Sequence, residues 1–217
     1  PSLVIVEPYR ELPVERTGFV GEIPKIVGME VCDNFQSYTA RKLYIHNCGH
    51  AVLAYFGYLR GYEYGYEALV DPAIRNIFDR CLQESQEGIV RQYGVKPEWV
   101  QNHILELTRR FANRALGDTI FRLARDPIRK LAATDRLVGA AKMCSKVGVD
   151  PEYLSWAIAA GFCYSDPQDA IAVELQESIR LRGIDKVIEE VAELRAGEEL
   201  TRLVLDKYSR LTAGELP

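Results

Sequence analysis

No apolar run in this sequence approaches the roughly 18 residues needed to cross a bilayer, and no basic stretch followed by an apolar one opens it. No membrane span is expected, and the expected location is cytoplasmic. Cysteine is sparse and odd in number: Cys32, Cys48, Cys81, Cys144 and Cys163 include no CxxC pair. That argues against a disulfide framework and a structural zinc, and for reduced thiols. Positive charge is not in excess, since the net charge is -4, which argues against a general nucleic-acid binder. Internal repeats and low complexity are missing too. An initiator methionine is lacking, and Pro1 in its place points to a processed product or an excised domain.

What is present suits a helical domain with a sizeable core: 217 residues, 47% of them hydrophobic. The charge is uneven. Between Arg109 and Arg136 stand eight basic residues against three acidic ones, inside an otherwise acidic chain; such a segment suits a small phosphate or carboxylate. Residues 1 to about 31 differ from the rest. Leu3-Val4-Ile5-Val6 is β-rich, Pro8, Pro13 and Pro24 interrupt helix, and Gly18, Gly21 and Gly28 punctuate, so a strand or two with loops is expected there. From Phe35 onward helices dominate. Asp-Pro steps at 71, 126, 150 and 166 mark four helix starts, giving helices over about 73–92, 127–148, 153–160 and 167–182. Others are expected from Lys96-Pro97 to Leu123, from Ile184 to Arg195 and from Glu198 to Leu211. The tyrosine-rich Gly57–Tyr66 stretch reads as a packed turn in preference to an aromatic binding loop. Trp99 and Trp156 read as core.

The most informative stretch is Lys42-Leu43-Tyr44-Ile45-His46-Asn47-Cys48-Gly49-His50, inside one expected helix over Phe35–Leu59. At about 100° per residue from Lys42, His46 falls near 40°, His50 near 80° and Asn47 near 140°. An ammonium, two imidazoles and an amide thus share one side of an otherwise apolar helix. Three readings are open. His46 and His50 stand i to i+4 as metal ligands do, but a zinc protease needs a glutamate where Asn47 stands, and only His103 is left as a further histidine. A structural role has Lys42 snorkelling and the histidines paired with backbone carbonyls. The third reading is chemistry at a carbonyl: a partly desolvated Lys42 as general acid or base, Asn47 donating to an alkoxide, His50 holding an adjacent hydroxyl. Gly49 then marks a place where a cofactor or another backbone comes close.

The pattern Lys42-Leu-Tyr-Ile-His-Asn47-Cys-Gly-His50-Ala resembles the K-L-x-x-x-N-x-x-H-A signature of the polyol-specific long-chain dehydrogenases, the mannitol dehydrogenase family, and most of all its mannitol-1-phosphate 5-dehydrogenase branch. The similarity continues through Arg110-Phe111-Ala112-Asn113, Asp118, the run Arg125–Leu131 and Asp135-Arg136. The resemblance implies a mainly α fold with a short β arm, similar to the C-terminal domain of 6-phosphogluconate dehydrogenase. It implies a zinc-independent enzyme that interconverts a sugar alcohol, or its phosphate, with the ketose using NAD. On it Lys42 is the acid/base, Asn47 an alkoxide stabiliser, His50 a substrate-orienting residue, and Arg110 and Asn113 lie on the substrate side, with His46 added to that set. Arg129 and Lys130 are candidates for a phosphate because a guanidinium beside an ammonium suits a dianion. An unphosphorylated substrate, as for a mannitol or uronate dehydrogenase, is the alternative; a non-catalytic helical interaction module is another.

One family feature is lacking. No GxGxxG follows a strand, and Gly18-Phe19-Val20-Gly21 is too short to serve. The expectation is therefore residues 1–31 as a connector from an N-terminal Rossmann domain, which is the partner, and 32–217 as the helical catalytic and substrate domain. Such a chain alone is expected to fold but neither to bind NAD tightly nor to turn over.

Overall fold

A computed structural model describes residues 11–217. Leu3–Val6, where a strand is expected, lies outside them. Strands β1 (Leu12–Glu15) and β2 (Met29–Cys32) pair in parallel, with Leu12 opposite Met29 and Glu15 opposite Cys32. Everything after β2 is helix and connection. α1 (Phe35–Arg41), a π-helical segment (Lys42–Asn47) and α2 (Cys48–Leu59) run on without a break, as the absence of proline allows. Asn34 caps the start, its Oδ1 accepting from Ser37 N.

α2 is hydrophobic all round and is buried all round: Ala51 to Gly57 have essentially no exposed surface. A helix of that kind must be enclosed, and α3 (Gly65–Val70), α4 (Pro72–Tyr93), α6 (Ile120–Ala124) and α9 (Glu152–Phe162) enclose it. α9 is the second central helix, buried from Leu154 to Phe162 and covered by α12 (Glu199–Thr212). α5 (Pro97–Phe111), α8 (Val138–Lys146), α10 (Ala170–Arg182) and α11 (Ile184–Ala192) complete the shell.

The Asp-Pro signals work unevenly. Asp71 caps α4 through Oδ1, which accepts from Ala73 N and Ile74 N, and Gly94 in left-handed conformation ends that helix. At Asp126-Pro127 the structure differs from the expected long helix. Asp126 itself is left-handed (φ 63°), and only the four-residue α7 (Pro127–Lys130) follows before turns lead to α8. Asp166 makes a turn, and Asp169 caps α10 three residues later. The helix expected to reach Leu123 stops at Phe111; Asn113 then caps a short 3-10 turn, Arg114–Leu116. A local side-chain cap or a left-handed residue outcompetes helix continuation at each of these points. The tyrosine stretch is a packed turn: Tyr58 meets Tyr164 and Ser165, and Tyr62 bonds Asp71.

Candidate functional site

The π segment sets the site. A π turn closes its hydrogen bonds at i+5 and so holds more residues per turn than an α-helix. Across Lys42–Asn47 the chain therefore rotates less per residue, but Asn47 itself lines neither the cleft beside Lys42 nor the crevice beside His50. π insertions of this kind are frequent at functional sites.

Lys42 stands open to solvent at the mouth of a cleft of about 250 Å³ walled by His46, His103 and Arg110, with Glu11, Tyr38 and Arg41 behind them. What burial it has, with the charges of Arg110 and Arg136 nearby, lowers its pKa. Its ammonium has no hydrogen-bond or ion-pair partner among the described residues. Asn47 is half-buried, and its carboxamide is likewise unpaired among them. Burial and then Lys42 and Arg110 hold His46 at about 3. Burial and Arg41 hold His103 at about 4, against the opposing pull of Glu11. Burial, His46 and Lys42 hold His50 well below the ordinary imidazole value. At neutral pH all three imidazoles are uncharged, each with one donor and one acceptor.

His50 is set apart from the cleft. Its ring stacks on Phe111 at 3.8 Å between centroids and meets His46 edge-on at 5.0 Å. Beyond Phe111, His50, Arg110 and Asn113 line a narrow crevice of about 10 Å³, room for about one water. Arg110 bounds both spaces. Gly49 serves the rings: a Cβ there would stand 2.9 Å from Phe78 and 3.2 Å from Phe111. The close approach expected of a cofactor or backbone is made by two phenyl groups.

Arg129 and Lys130 do not reach the Lys42 cleft. Arg129 is exposed and paired with Asp126 at 2.6 Å. Lys130 is 4% exposed, and its Nζ donates to the Leu123 carbonyl at 2.6 Å and to that of Arg125. Its donors are spent on the backbone of the turn before α7. Besides Arg110, which lines the cleft, Arg136 stands near: its Nε pairs with Asp135 Oδ1 at 2.7 Å and its charge bears on Lys42, His46 and His50.

Sequence reasoning missed Phe111 and His103 as parts of the site. Phe111 belongs to the Arg110–Asn113 motif but was given no role of its own. His103 carried one signal, scarcity: all three histidines of the chain cluster here, with His46 and His103 centroids 6.4 Å apart. Nε2 of His103 is buried without a partner among the described residues, which costs about 1–3 kcal/mol in an unliganded fold.

The fold and the site define, in class, a mainly α domain that presents a lysine, an amide and neutral histidines from one distorted helix. The chain belongs to the mannitol dehydrogenase family: the family model for the mannitol dehydrogenase C-terminal domain matches residues 34–212. It is 34% identical over 211 residues to the mannitol-1-phosphate 5-dehydrogenase of Thermoanaerobacter pseudethanolicus, covering 97% of this chain and 54% of that protein. To the enzyme of the same name from Bacillus subtilis it is 37% identical over 210 residues, covering 97% and 55%. The chain thus spans about half the length of these relatives. Among solved structures it resembles Pseudomonas fluorescens mannitol 2-dehydrogenase in ternary complex with NAD and D-mannitol (TM-score 0.68, 20% identity, 87% of this chain and 41% of that one). It also resembles a substrate-free D-sorbitol dehydrogenase (TM-score 0.71, 16% identity, 93% and 44%). At those identities the likeness establishes the fold.

Proposed function

We propose that this chain is the catalytic and substrate half of an NAD-dependent dehydrogenase that interconverts mannitol 1-phosphate and fructose 6-phosphate. In this reading residues 1–31 connect to an N-terminal Rossmann domain and 32–217 form the working helical domain. One observation carries it: Lys42 presents an ammonium of lowered pKa, without a partner among the described residues, in a cleft lined by neutral imidazoles. Neutral Lys42 takes the proton of the reacting hydroxyl during oxidation and its ammonium returns it during reduction. NAD held by such a dinucleotide domain would supply the hydride chemistry. Asn47 donates an N–H to the alkoxide that develops. His46 orients a neighbouring hydroxyl and Arg110 lines the substrate side, while His50 and Asn113 act from the crevice across Phe111 that Arg110 also bounds. The phosphate falls to Arg110 and Arg136, whose charges already bear on Lys42, in place of Arg129 and Lys130.

The arm offers a face for the preceding domain. Val20 and Val27 are fully exposed and Ile26 is more than half exposed, and among the described residues the sheet has two strands, with no further strand on either outer edge. The test is a rate: full-length enzyme reduces NAD with mannitol 1-phosphate, and the isolated 217-residue chain does not. Turnover by the isolated chain refutes the two-domain reading. The placement of Arg129 and Lys130 away from the cleft favours a second reading, an unphosphorylated hexitol. A kcat/KM for mannitol equal to or above that for its phosphate selects it.

A further inference from the structure

The back of the Lys42 cleft has a wall that the scheme above does not use. His103, on α5, is 7% exposed and lines the cleft, and its Nε2 lacks a partner among the described residues. Resting on the dehydrogenase reading, we propose that His103 is a substrate-binding residue that recognises a hydroxyl on a carbon next to the reacting carbinol.

The charges around it decide the ligand chemistry. Arg41, Lys42 and Arg110 share the cleft with His103, and Glu11 is the carboxylate facing it. Arg41 is committed elsewhere: it bonds Glu11 at 2.8 Å and lies over the Trp99 ring at 4.0 Å. Burial and Arg41 keep the imidazole uncharged near neutral pH, so it presents one donor and one acceptor. A cationic ligand group is repelled by the three basic side chains. A phosphate or carboxylate only accepts, and meets half of what a neutral imidazole offers. A hydroxyl both donates and accepts, so it satisfies Nε2 in either tautomer. The neighbour in the wall is His46, with ring centroids 6.4 Å apart, and His46 lies one turn after Lys42 on the same helix. A hydroxyl bound between these two rings therefore belongs to a carbon close to the one on which Lys42 acts, and the cleft of about 250 Å³ admits a hydroxylated chain rather than a single water.

The test is a cycle of substrate and protein changes in the full-length enzyme. The substrates are mannitol 1-phosphate and its analogues deoxygenated at either carbon flanking the reacting one. The enzymes are the parent, His103→Phe and His103→Gln, the last of which keeps an amide at the Nε2 position. The parent is expected to prefer the intact substrate over one deoxy analogue by roughly 10- to 100-fold in kcat/KM. His103→Phe lowers the intact substrate to the level of that analogue, mostly through KM, and leaves the analogue within about threefold; His103→Gln recovers part of the preference. Equal loss on both substrates, or no loss on either, overturns the proposal. Since three histidines make ¹⁵N spectra simple to assign, the parent chain also gives a readout that needs no variant to fold. Mannitol 1-phosphate is expected to move the His103 Nε2 resonance while the ring stays neutral; no movement, or the same movement with inorganic phosphate alone, overturns it. If the parent enzyme shows no polyol-dependent reduction of NAD, the dehydrogenase reading falls and this inference with it. If it turns over and Lys42→Ala abolishes the rate while the His103 variants keep the preference, only this inference falls.

Discussion

Lys42 and Lys130 are both held below the ordinary lysine pKa, chiefly by burial, and both feel the charge of Arg136. Lys130 is driven further, to about 7. On titration alone Lys130 is the better general base. Geometry reverses that ranking. Lys130 is buried, with Nζ between the Leu123 and Arg125 carbonyls, below a turn whose Asp126 is left-handed and whose Asp126 N–H is held by Asp169. Lys42 sits open at a cleft with no partner among the described residues. A depressed ammonium pKa marks desolvation; access and an unspent donor set mark a group available for chemistry.

Exchanging each lysine tests that distinction most severely. Lys42→Ala in the full-length enzyme is expected to lower kcat by roughly 10²- to 10⁴-fold, the usual span for a general acid or base, with the thermal midpoint almost unmoved. Lys130→Met is expected to do the opposite. It leaves two backbone carbonyls without a donor, at a cost of about 2–4 kcal/mol in unfolding free energy, while kcat per folded molecule stays within about threefold. Denaturant titration and steady-state kinetics on the same preparations measure both. A stable but inactive Lys130→Met enzyme would return Lys130 to the substrate site.

The surroundings of the two lysines also differ in what they do with acid. Lys42 has imidazoles about it, and His46 and His103 are depressed to about 3 and about 4 from an unfolded value near 6.5. Because the folded values are the lower ones, the unfolded chain binds protons that the fold refuses. The associated stability is complete above pH 6.5 and is lost as pH falls toward the folded values, with a slope of roughly 1.4 kcal/mol per pH unit for each imidazole. His103→Phe is expected to flatten that slope by one imidazole's share between about pH 4.5 and 6, read from chemical unfolding at stepped pH. An unchanged slope would mean that His103 is protonated in the fold.

Why the sequence groups Lys42 with its neighbours and gives no sign of the burial of Lys130 follows from the range of the interactions. Lys42, His46, Asn47 and His50 share a helix, so periodicity gathers them without knowledge of the fold. The buried runs of α2 and α9, and the Asp71-Pro72 start with its Gly94 stop, are equally local and were legible for that reason. The π turn was not, since 100° steps contain no signal for an extra residue. Lys130 looked free beside Arg129 because the carbonyls that claim it belong to Leu123 and Arg125, in a turn the sequence presented as helix. His103 and Phe111 reach the site only when α5 packs against the π segment, which is tertiary information.

The smallest expected effect separates the cations that serve Lys42 from those that do not. Arg136 is 12% exposed at its side chain, held by Asp135, and helps to lower the Lys42 pKa. Arg129, seven residues earlier, is engaged with Asp126 and does not figure among the charges acting on Lys42. Removing a nearby positive charge relieves the ammonium, so Arg136→Met raises the Lys42 pKa. The base form needed for oxidation then appears at higher pH, and the acid limb of the kcat/KM profile for mannitol 1-phosphate moves up, by a few tenths of a unit to about one. Arg129→Met is expected to leave that limb in place. Saturation with substrate adds a second discriminator, because an arginine that also holds phosphate raises KM for the phosphorylated hexitol more than for the free one. An unshifted limb with Arg136→Met, or an equal shift with Arg129→Met, would show that the charge acting on Lys42 comes from neither residue in particular and that burial alone sets its proton affinity.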